Sequence, residues 1–336
     1  MSGAAPSPAV AVCIVTYNSA ADLPGCLASI ASLTYGRLEV VVVDCASTDG
    51  SLAVARTHLP RKLPGQVIGL GENRGFAGGM NEAISRTTAE WALLLNADAR
   101  PAPDYIDRLL ALAAAHPELR TGALTGRLVR PEGPNGERRL DACGMRLTPN
   151  WRHLDRGSGE VDHGQLDRSE RVFGATGAAS LFRRAALLDV AIEGEIFDAS
   201  FHSFREDAEL CFRLRERGWE ILYAPGAIAE HRRFNLPERR RAMPPEVNYH
   251  SLKNRYLLRL YHQTGRNLVR TFVPTLGRDL LALGYVLLRE RSSFAAYVWL
   301  WRHRAEIRRR RRALAARRTL PAAELDRWFW REGEPL

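Results

Sequence analysis

Cysteine is scarce in this 336-residue chain, and its five copies, Cys13, Cys26, Cys45, Cys143 and Cys211, lie far apart. An odd, scattered set argues against a disulfide framework or a zinc site and points to a reducing compartment. Long apolar runs are missing as well: none reaches the roughly 20 residues that a membrane-spanning helix needs. The first fifteen residues are small and apolar without a basic leader, so no signal peptide is expected. Lysine is confined to Lys62 and Lys253, which leaves arginine as the working cation. No internal repeat is visible. Apolar residues at 46% and charged residues at 26% rule out a disordered or collagen-like chain. What remains is a cytoplasmic protein, soluble or held at a membrane surface, with length enough for one large domain or two modest ones.

The net charge of +10 conceals an asymmetry. Residues 231–336 hold 24 Lys and Arg against 9 Asp and Glu, a net of +15, whereas residues 1–230 hold 24 against 29, a net of −5. An acidic body with a basic tail suggests that the tail meets something anionic, such as a bilayer surface, nucleic acid or a polyphosphate. Two short apolar segments, Leu280–Leu288 and Phe294–Trp301, are split by Arg289-Glu290-Arg291 and followed by five consecutive arginines, Arg308–Arg312. Apolar, aromatic helices beside an arginine cluster suit the interface of an anionic leaflet. A helical hairpin packed on the body with a solvated arginine face is the competing reading.

In the first half, continuous apolar runs at Val10–Thr16, Leu38–Asp44, Gln66–Leu70 and Trp91–Asn96 alternate with amphipathic segments near 20–33, 50–58, 76–87 and 103–115. Continuous rather than alternating strands, spaced by helices, mark a mostly parallel sheet covered on both faces. The expected fold is α/β and doubly wound, with ligands outside the carboxyl ends of the strands. Residues 131–172, rich in Gly, Pro, Asp and Arg, read as a loop-rich insert that can overlie a site. A polar helix near Arg205–Arg217, capped by Gly218 and followed by the strand-like Trp219–Tyr223, closes the body.

The residues at the strand ends supply the chemistry. Asp44, just past a buried run and before a helix start, can accept from a base or ribose, or serve as an ordinary cap. Asn96 and Asp98, on the turn after WALLLN, offer hard oxygen ligands for magnesium or manganese on a diphosphate, or simply stabilise a turn. The glycines around Asn73, Arg74 and Gly75 do not fit a dinucleotide fingerprint, because the spacing is one residue too long and follows the third strand. They suit close backbone approach to a nucleotide, with Arg74 near a phosphate. Glu206 and Asp207 open a polar helix whose N-terminus favours their ionised forms, and one of the two can face a site as general base. The bland alternative is complementation of the helix dipole. His231 can add a nitrogen ligand near Asp98 or be an ordinary surface or core histidine.

Taken in order, VTYN (Val15–Asn18), VVVDCASTDGS (Val41–Ser51), ENRGFAGGMN (Glu72–Asn81), LLLNAD (Leu93–Asp98) and FREDAELCFRLRERGWEILYAP (Phe204–Pro225) followed by His231 resemble glycosyltransferase family 2. The similarity is to the rhamnosyltransferase-like branch that builds bacterial surface polysaccharides, and it covers roughly residues 9 to 262. The resemblance implies a GT-A fold, a nucleotide-diphospho-sugar donor, a divalent metal and inversion at the anomeric carbon. It places Thr16, Tyr17, Asn18 and Asp44 in the nucleotide pocket, with Asn73, Arg74 and Gly75 framing the donor and Asn81 supporting that loop. Asp98 and His231 correspond to metal ligands, Asp207 to the catalytic base and Glu206 to its orienting neighbour. Asn96 stands where many relatives carry an aspartate, Cys45 replaces an Asn, and Arg205 replaces a small residue.

The resulting expectation is a GT-A domain over residues 1–262 with a basic amphipathic helical tail over 263–336. It transfers a sugar, rhamnose favoured, from thymidine-diphospho-rhamnose or a uridine-diphospho-sugar to a glycan or lipid-linked acceptor, on the cytoplasmic face of the membrane. A nucleotide-sugar-binding scaffold acting through its tail is the alternative. A nucleic-acid role ranks last because nothing besides the arginines resembles such a module.

Overall fold

A computed structural model describes residues 7–132, 136–233 and 244–336. The start of the segment read as free of a leader and residues 133–135 of the insert lie outside the described residues. The strands are β1 Val10–Thr16, β2 Leu38–Asp44, β3 Gly65–Gly69, β4 Trp91–Asn96, β5 Ala99–Pro101, β6 Thr121–Val129, β7 Leu140–Ala142, β8 Met145–Leu147, β9 His153–Asp155, β10 Glu170–Arg171, β11 Ala179–Arg183, β12 Glu220–His231 and β13 Glu334–Pro335. The helices are α1 Leu23–Ala31, α2 Ser51–His58, α3 Gly75–Ser85, α4 Tyr105–Ala115, α5 Arg184–Val190, α6 Glu206–Glu216, α7 Pro245–His262, α8 Gly265–Arg289, α9 Ala295–Arg302, α10 Arg304–Arg317 and α11 Ala322–Asp326.

One sheet runs in the order β13-β10-β12-β6-β11-β4-β1-β2-β3. β1 pairs in parallel with β2 and β4, and β2 with β3, so their polar ends come together: Thr16 lies opposite Asp44, and Val15 opposite Asn96. β11 is antiparallel to both β4 and β6, which makes the sheet mixed. Two apolar layers cover its faces. One gathers Val10, Val12 and Ile14 with Leu27, Ile30 and Ile106. The other gathers Ala11, Cys13 and Leu94 with Met80, Leu210 and Leu214. Alternate residues of β1 therefore enter opposite layers, as the period of a strand requires, and each is an apolar residue buried between sheet and helix.

The insert forms short strands, including the hairpin of β8 and β9. Residues 263–336 fold onto the body: Ile307, Leu314, Trp328 and Phe329 join the core of the body, and β13 pairs with β10 at the sheet edge. Two members of the arginine run take part in this docking: Arg309 pairs with Glu193 at 3.2 Å and Arg310 with Asp198 at 3.1 Å, while Arg311 donates to the Gln263 carbonyl within the tail at 2.6 Å.

The expectation that no apolar stretch is long enough to cross a bilayer is corrected by α8. Among the described residues it is the one helix long and apolar enough to do so, by length and composition alone. Arg278, Asp279 and Pro274 interrupt the apolar run in the sequence but not the helix, which starts from a reciprocal cap between Thr264 and Asn267. α8 is also inverted. It buries Asn267, Thr271 and Thr275, with Thr271 accepting from the Trp151 indole at 3.2 Å. Val269, Val273, Leu280, Leu281 and Leu288 meanwhile stand exposed.

Candidate active site

A cavity of about 760 Å³ lies at the carboxyl ends of β1 and β4. It is roofed by β8 and β9 from the insert, by residues 202–205 and by the first turns of α7. Of the residues singled out from the sequence, Tyr17, Asn18, Asn73, Asn96, Asp98, Glu206, Asp207 and His231 line it. Thr16, Asp44, Arg74, Gly75 and Asn81 stand outside that lining. Asp44 accepts from the Ser47 amide at 3.0 Å through one carboxylate oxygen. Its other oxygen and the Thr16 hydroxyl are buried without a partner among the described residues. Buried polar atoms are rarely left so, and a ligand donor is a natural partner for both.

Asn18 takes a left-handed conformation, φ 51°, and its side-chain Oδ1 accepts from the Thr48 amide at 2.8 Å. Asn73 accepts from the Gly75 amide at 2.8 Å, which bends the chain into α3. Gly75 has φ 64°, and a Cβ there would lie 2.4 Å from the His202 carbonyl, so only glycine lets that loop close over α3. Arg74 faces solvent and pairs with Glu72. Asn81 bonds both backbone groups of Phe197, donating to its carbonyl and accepting from its amide, each at 2.8 Å.

On the opposite wall His231, at the end of β12, reaches Asp98 with Nε2 at 3.3 Å and Asp141 with Nδ1 at 2.7 Å. Two ligands sharing one octahedral cation sit about 3 Å apart, so Asp98 and His231 Nε2 have the spacing for a magnesium or manganese ion. Asp141, 1% exposed, accepts from the far side of the ring, the support that a metal-binding histidine ordinarily has. The donor set therefore fits a divalent ion. Burial opposes an imidazolium here, but hydrogen bonds and charge from Asp141 and Asp98 outweigh it and push the His231 pKa up to about 9. A second cluster, His202, Glu246 and His250, brings three potential ligand atoms together at the α7 rim of the same cavity.

The sequence order Arg205-Glu206-Asp207 is held by strained backbone. His202, Phe204 and Arg205 have φ of 61°, 71° and 72°, conformations that side chains other than glycine rarely adopt. The buried Asn254 of α7 holds them, donating to the carbonyls of Phe201, Ser203 and Phe204 at 2.8, 2.7 and 2.7 Å. Asp207 accepts from the Gly177 amide at 3.0 Å and the Ala208 amide at 2.8 Å. Two expectations are corrected here. Both carboxylates line the cavity, although one alone was expected to face it, because the helix begins at Glu206 directly after a left-handed residue. The helix terminus also does not keep both anionic. Burial raises Glu206 well above the usual carboxylate range, with the Asp207 charge adding to it. Burial raises Asp207 too, against the Gly177 and Ala208 amides.

The insert supplies what sequence reasoning missed: Asp141, His153 and Asp155, together with Arg233 beyond β12. Arg233 bridges Asp141, at 3.2 Å, and Asp155. The only signal for the three insert residues was the insert itself, which reads as a segment able to cover a site.

Comparison with known proteins supplies the family to which this fold belongs. The family model "Glycosyl transferase family 2" matches residues 11–190. The chain is 32% identical over 244 residues to N-acetylglucosaminyl-diphospho-decaprenol L-rhamnosyltransferase of Mycobacterium tuberculosis, covering 66% of this chain and 75% of that protein. It is also 38% identical over 92 residues to a PGL/p-HBAD biosynthesis glycosyltransferase of the same species, covering 27% and 36% of the two chains. Among solved structures, S. aureus TarS 1–349 in complex with UDP-GlcNAc superposes with a TM-score of 0.56 at 17% identity, over 96% of this chain and 89% of that one. The mannosyltransferase PcManGT from Pyrobaculum calidifontis, in complex with GDP-Man and Mn2+, gives 0.53 at 21% identity over 95% and 78%. The chain belongs to glycosyltransferase family 2 and is rhamnosyltransferase-like, with a GT-A type, mostly parallel sheet and a C-terminal helical region.

Proposed function

We propose that this protein is an inverting glycosyltransferase that moves a sugar, with rhamnose the leading candidate, from a nucleotide-diphospho-sugar to a hydroxyl of a glycan or lipid-linked acceptor in cell-envelope synthesis. The observation that carries the reading is one cavity lined both by the Asp98–His231 pair and by Glu206 and Asp207. Asn18, Asn73 and the unpartnered oxygens of Thr16 and Asp44 receive the nucleoside. Asp98 and His231 Nε2 would hold the divalent ion, with Asp141 fixing the imidazole from Nδ1. Such an ion supplies charge neutralisation at the leaving diphosphate.

Asp207 takes the proton of the acceptor hydroxyl as that oxygen bonds to the anomeric carbon. The bond from that carbon to the diphosphate oxygen breaks on the opposite face, and the nucleoside diphosphate leaves with the electron pair. A single base suffices for this displacement, whereas hydrolysis of a glycosidic bond needs an acid and a base flanking it. Burial raises Glu206 well above the usual carboxylate range and the Asp207 charge adds to it, so protonation of the pair falls first on Glu206. A raised pKa on a base brings it closer to the operating pH, where proton transfer is most effective.

The inverted helix α8 supports residence on the inner face of the membrane. A continuous exposed apolar face is unusual on a soluble monomer, and α8 sets one beside arginines, as helices lying in an anionic interface do. The assay is nucleoside diphosphate release from a panel of nucleotide sugars with manganese or magnesium and a membrane lipid extract. Release from one donor, abolished by EDTA and by Asp98→Ala, is the expected result. Release that persists undiminished in Asp98→Ala defeats the reading.

A further inference from the structure

The cluster of His202, Glu246 and His250 takes no part in the proposed transfer. Glu246 and His250 stand four residues apart on α7, which puts them on one face of the helix, with a Glu246 oxygen 3.9 Å from His250 Nε2. His202 reaches them from the segment before α6. Its ring stacks on that of His250, with centroids 4.8 Å apart and planes 18° from parallel. One potential ligand atom from each of the three residues lies within 4.8 Å of the other two. Nδ1 of His250 is buried with no hydrogen-bond partner among the described residues, and a buried ring nitrogen is rarely left so.

The donor set selects the kind of ion. Two imidazoles and one carboxylate suit zinc, whereas magnesium and calcium favour oxygen ligands. Ligands around a tetrahedral zinc sit about 3.3 Å apart at bonds of about 2.0 Å, so small side-chain rotations bring these three together. Burial holds both rings below the ordinary histidine range, His250 at about 4 with the Lys253 charge adding to the effect, so each is offered as neutral imidazole. All three residues line the main cavity, and the coordination position they leave free is open to it.

The location gives such an ion mechanical work. His202 has φ 61°, and its carbonyl accepts from the Ala77 amide of α3 at 3.0 Å. Phe204 and Arg205, equally strained, follow it and lead directly into α6. Asn254 grips this segment from the middle of α7, while Glu246 and His250 belong to the first two turns of the same helix. We propose that His202, Glu246 and His250 form a zinc site that fastens the start of α7 to the strained segment leading into Glu206 and Asp207. Water from the cavity completes the coordination. The site differs from Asp98 and His231 in its ligands and in the ion it prefers, and it stands whether or not the transferase reading does.

The probe is zinc itself, added to the full-length protein carrying Asp98→Ala and stripped of metal, so that uptake at Asp98 and His231 does not enter the count. Competition with a zinc indicator should show one ion bound at micromolar concentration, and cobalt(II) should take the same place with the visible absorption of a four-coordinate ion. Glu246→Gln, at a position 76% exposed, should melt as its parent does without zinc yet bind zinc about tenfold or more weakly; His250→Ala should weaken zinc to a similar extent. Zinc should also slow amide hydrogen exchange across residues 201–205 and raise the melting temperature of the parent more than that of the Glu246→Gln protein. No uptake at submillimolar zinc overturns the proposal. So does an affinity that both substitutions leave within twofold, which would place the ion elsewhere. Magnesium that displaces zinc at equal concentration overturns the choice of ion. Zinc that binds but leaves exchange at 201–205 unchanged overturns the fastening.

Discussion

Replacing Asp141 with asparagine isolates the support beneath the candidate metal ligand His231. The substitution keeps the size and an acceptor oxygen 2.7 Å from the imidazole Nδ1 while removing the charge. That charge acts on whatever sits at Nε2, and a dication there is stabilised by it about twice as strongly as a proton. Loss of a carboxylate behind a metal-bound histidine ordinarily costs 10–100-fold in metal affinity, about 1.4–2.7 kcal/mol. The site is well suited to the upper part of that range, because Asp141 is 1% exposed and little water intervenes. Arg233 and Arg130, at 3.2 and 3.5 Å from the same carboxylate, lose a partner too. Thermal melting therefore accompanies the assay. Manganese binding, followed by electron paramagnetic resonance with nucleoside diphosphate present, should weaken at least tenfold, and the activity should recover at high manganese. Manganese affinity within twofold of wild type, in a protein that melts normally, refutes the coordination assigned to His231.

Asp207→Asn should retain nucleotide binding and lose about 10²–10⁴-fold in turnover. Near-wild-type rates would remove the base. Because burial raises the Asp207 pKa, activity should fall on acidification at a pH above the ordinary aspartate range, as the base becomes protonated, and a profile flat down to pH 4 contradicts this. Arg213→Ala leaves the buried Glu209 with His262 as its remaining charged partner and takes donors from the Val190 and Ile196 carbonyls, so chemical denaturation should show a loss of about 3–5 kcal/mol; a loss under 1 kcal/mol contradicts the pairing. In the intact protein, Arg213 and His262 overcome burial to hold Glu209 at about 2. Its contribution is thus present above the unfolded value near 4.5 and is lost as pH falls from there toward 2. Asn254→Leu frees the strained 201–205 segment and should lower kcat with little change in nucleotide affinity, whereas an unchanged kcat shows that the loop holds itself. Serine at Val269, Val273 and Leu280 together should abolish flotation with anionic liposomes and leave melting unchanged; undiminished flotation sinks the leaflet-facing role of α8.

The parallel strands were legible because a strand buried on both faces must be apolar throughout. Val10–Thr16, Leu38–Asp44 and Trp91–Asn96 fall where their runs begin and end, and β3 starts one residue early, at Gly65. The strand-end residues were legible for the same reason: polar residues closing an apolar run have nowhere to go but the crevice. Asp141 was not legible. It lies 90 residues from His231 in the sequence, and only the return of β7 against β6 brings it under the ring. α8 failed in a different way. Its apolar content was read in pieces because charges at 278–279 interrupt it. No composition reveals that the polar Thr271 and Thr275 turn inward while Val269 and Val273 turn outward.

The division into a transferase body and a basic tail, natural on charge grounds, passes through the element that joins the two. α7 lines the cavity with Val247 and His250 and clamps the loop before Glu206 and Asp207 through Asn254. It then grips α8 through Asp279, and its last residue, His262, stacks on Phe212 and faces Glu209 and Glu216 of α6. A helix fixed at so many points cannot shift without moving either Asp207 or α8. If the apolar face of α8 lies in a leaflet, as proposed, this rigid packing would set the height of the proposed base Asp207 above the bilayer. Truncation after residue 262 removes Trp328 and Phe329 from the core of the body, so it tests folding; point changes on the outer face of α8 are what separate membrane contact from catalysis.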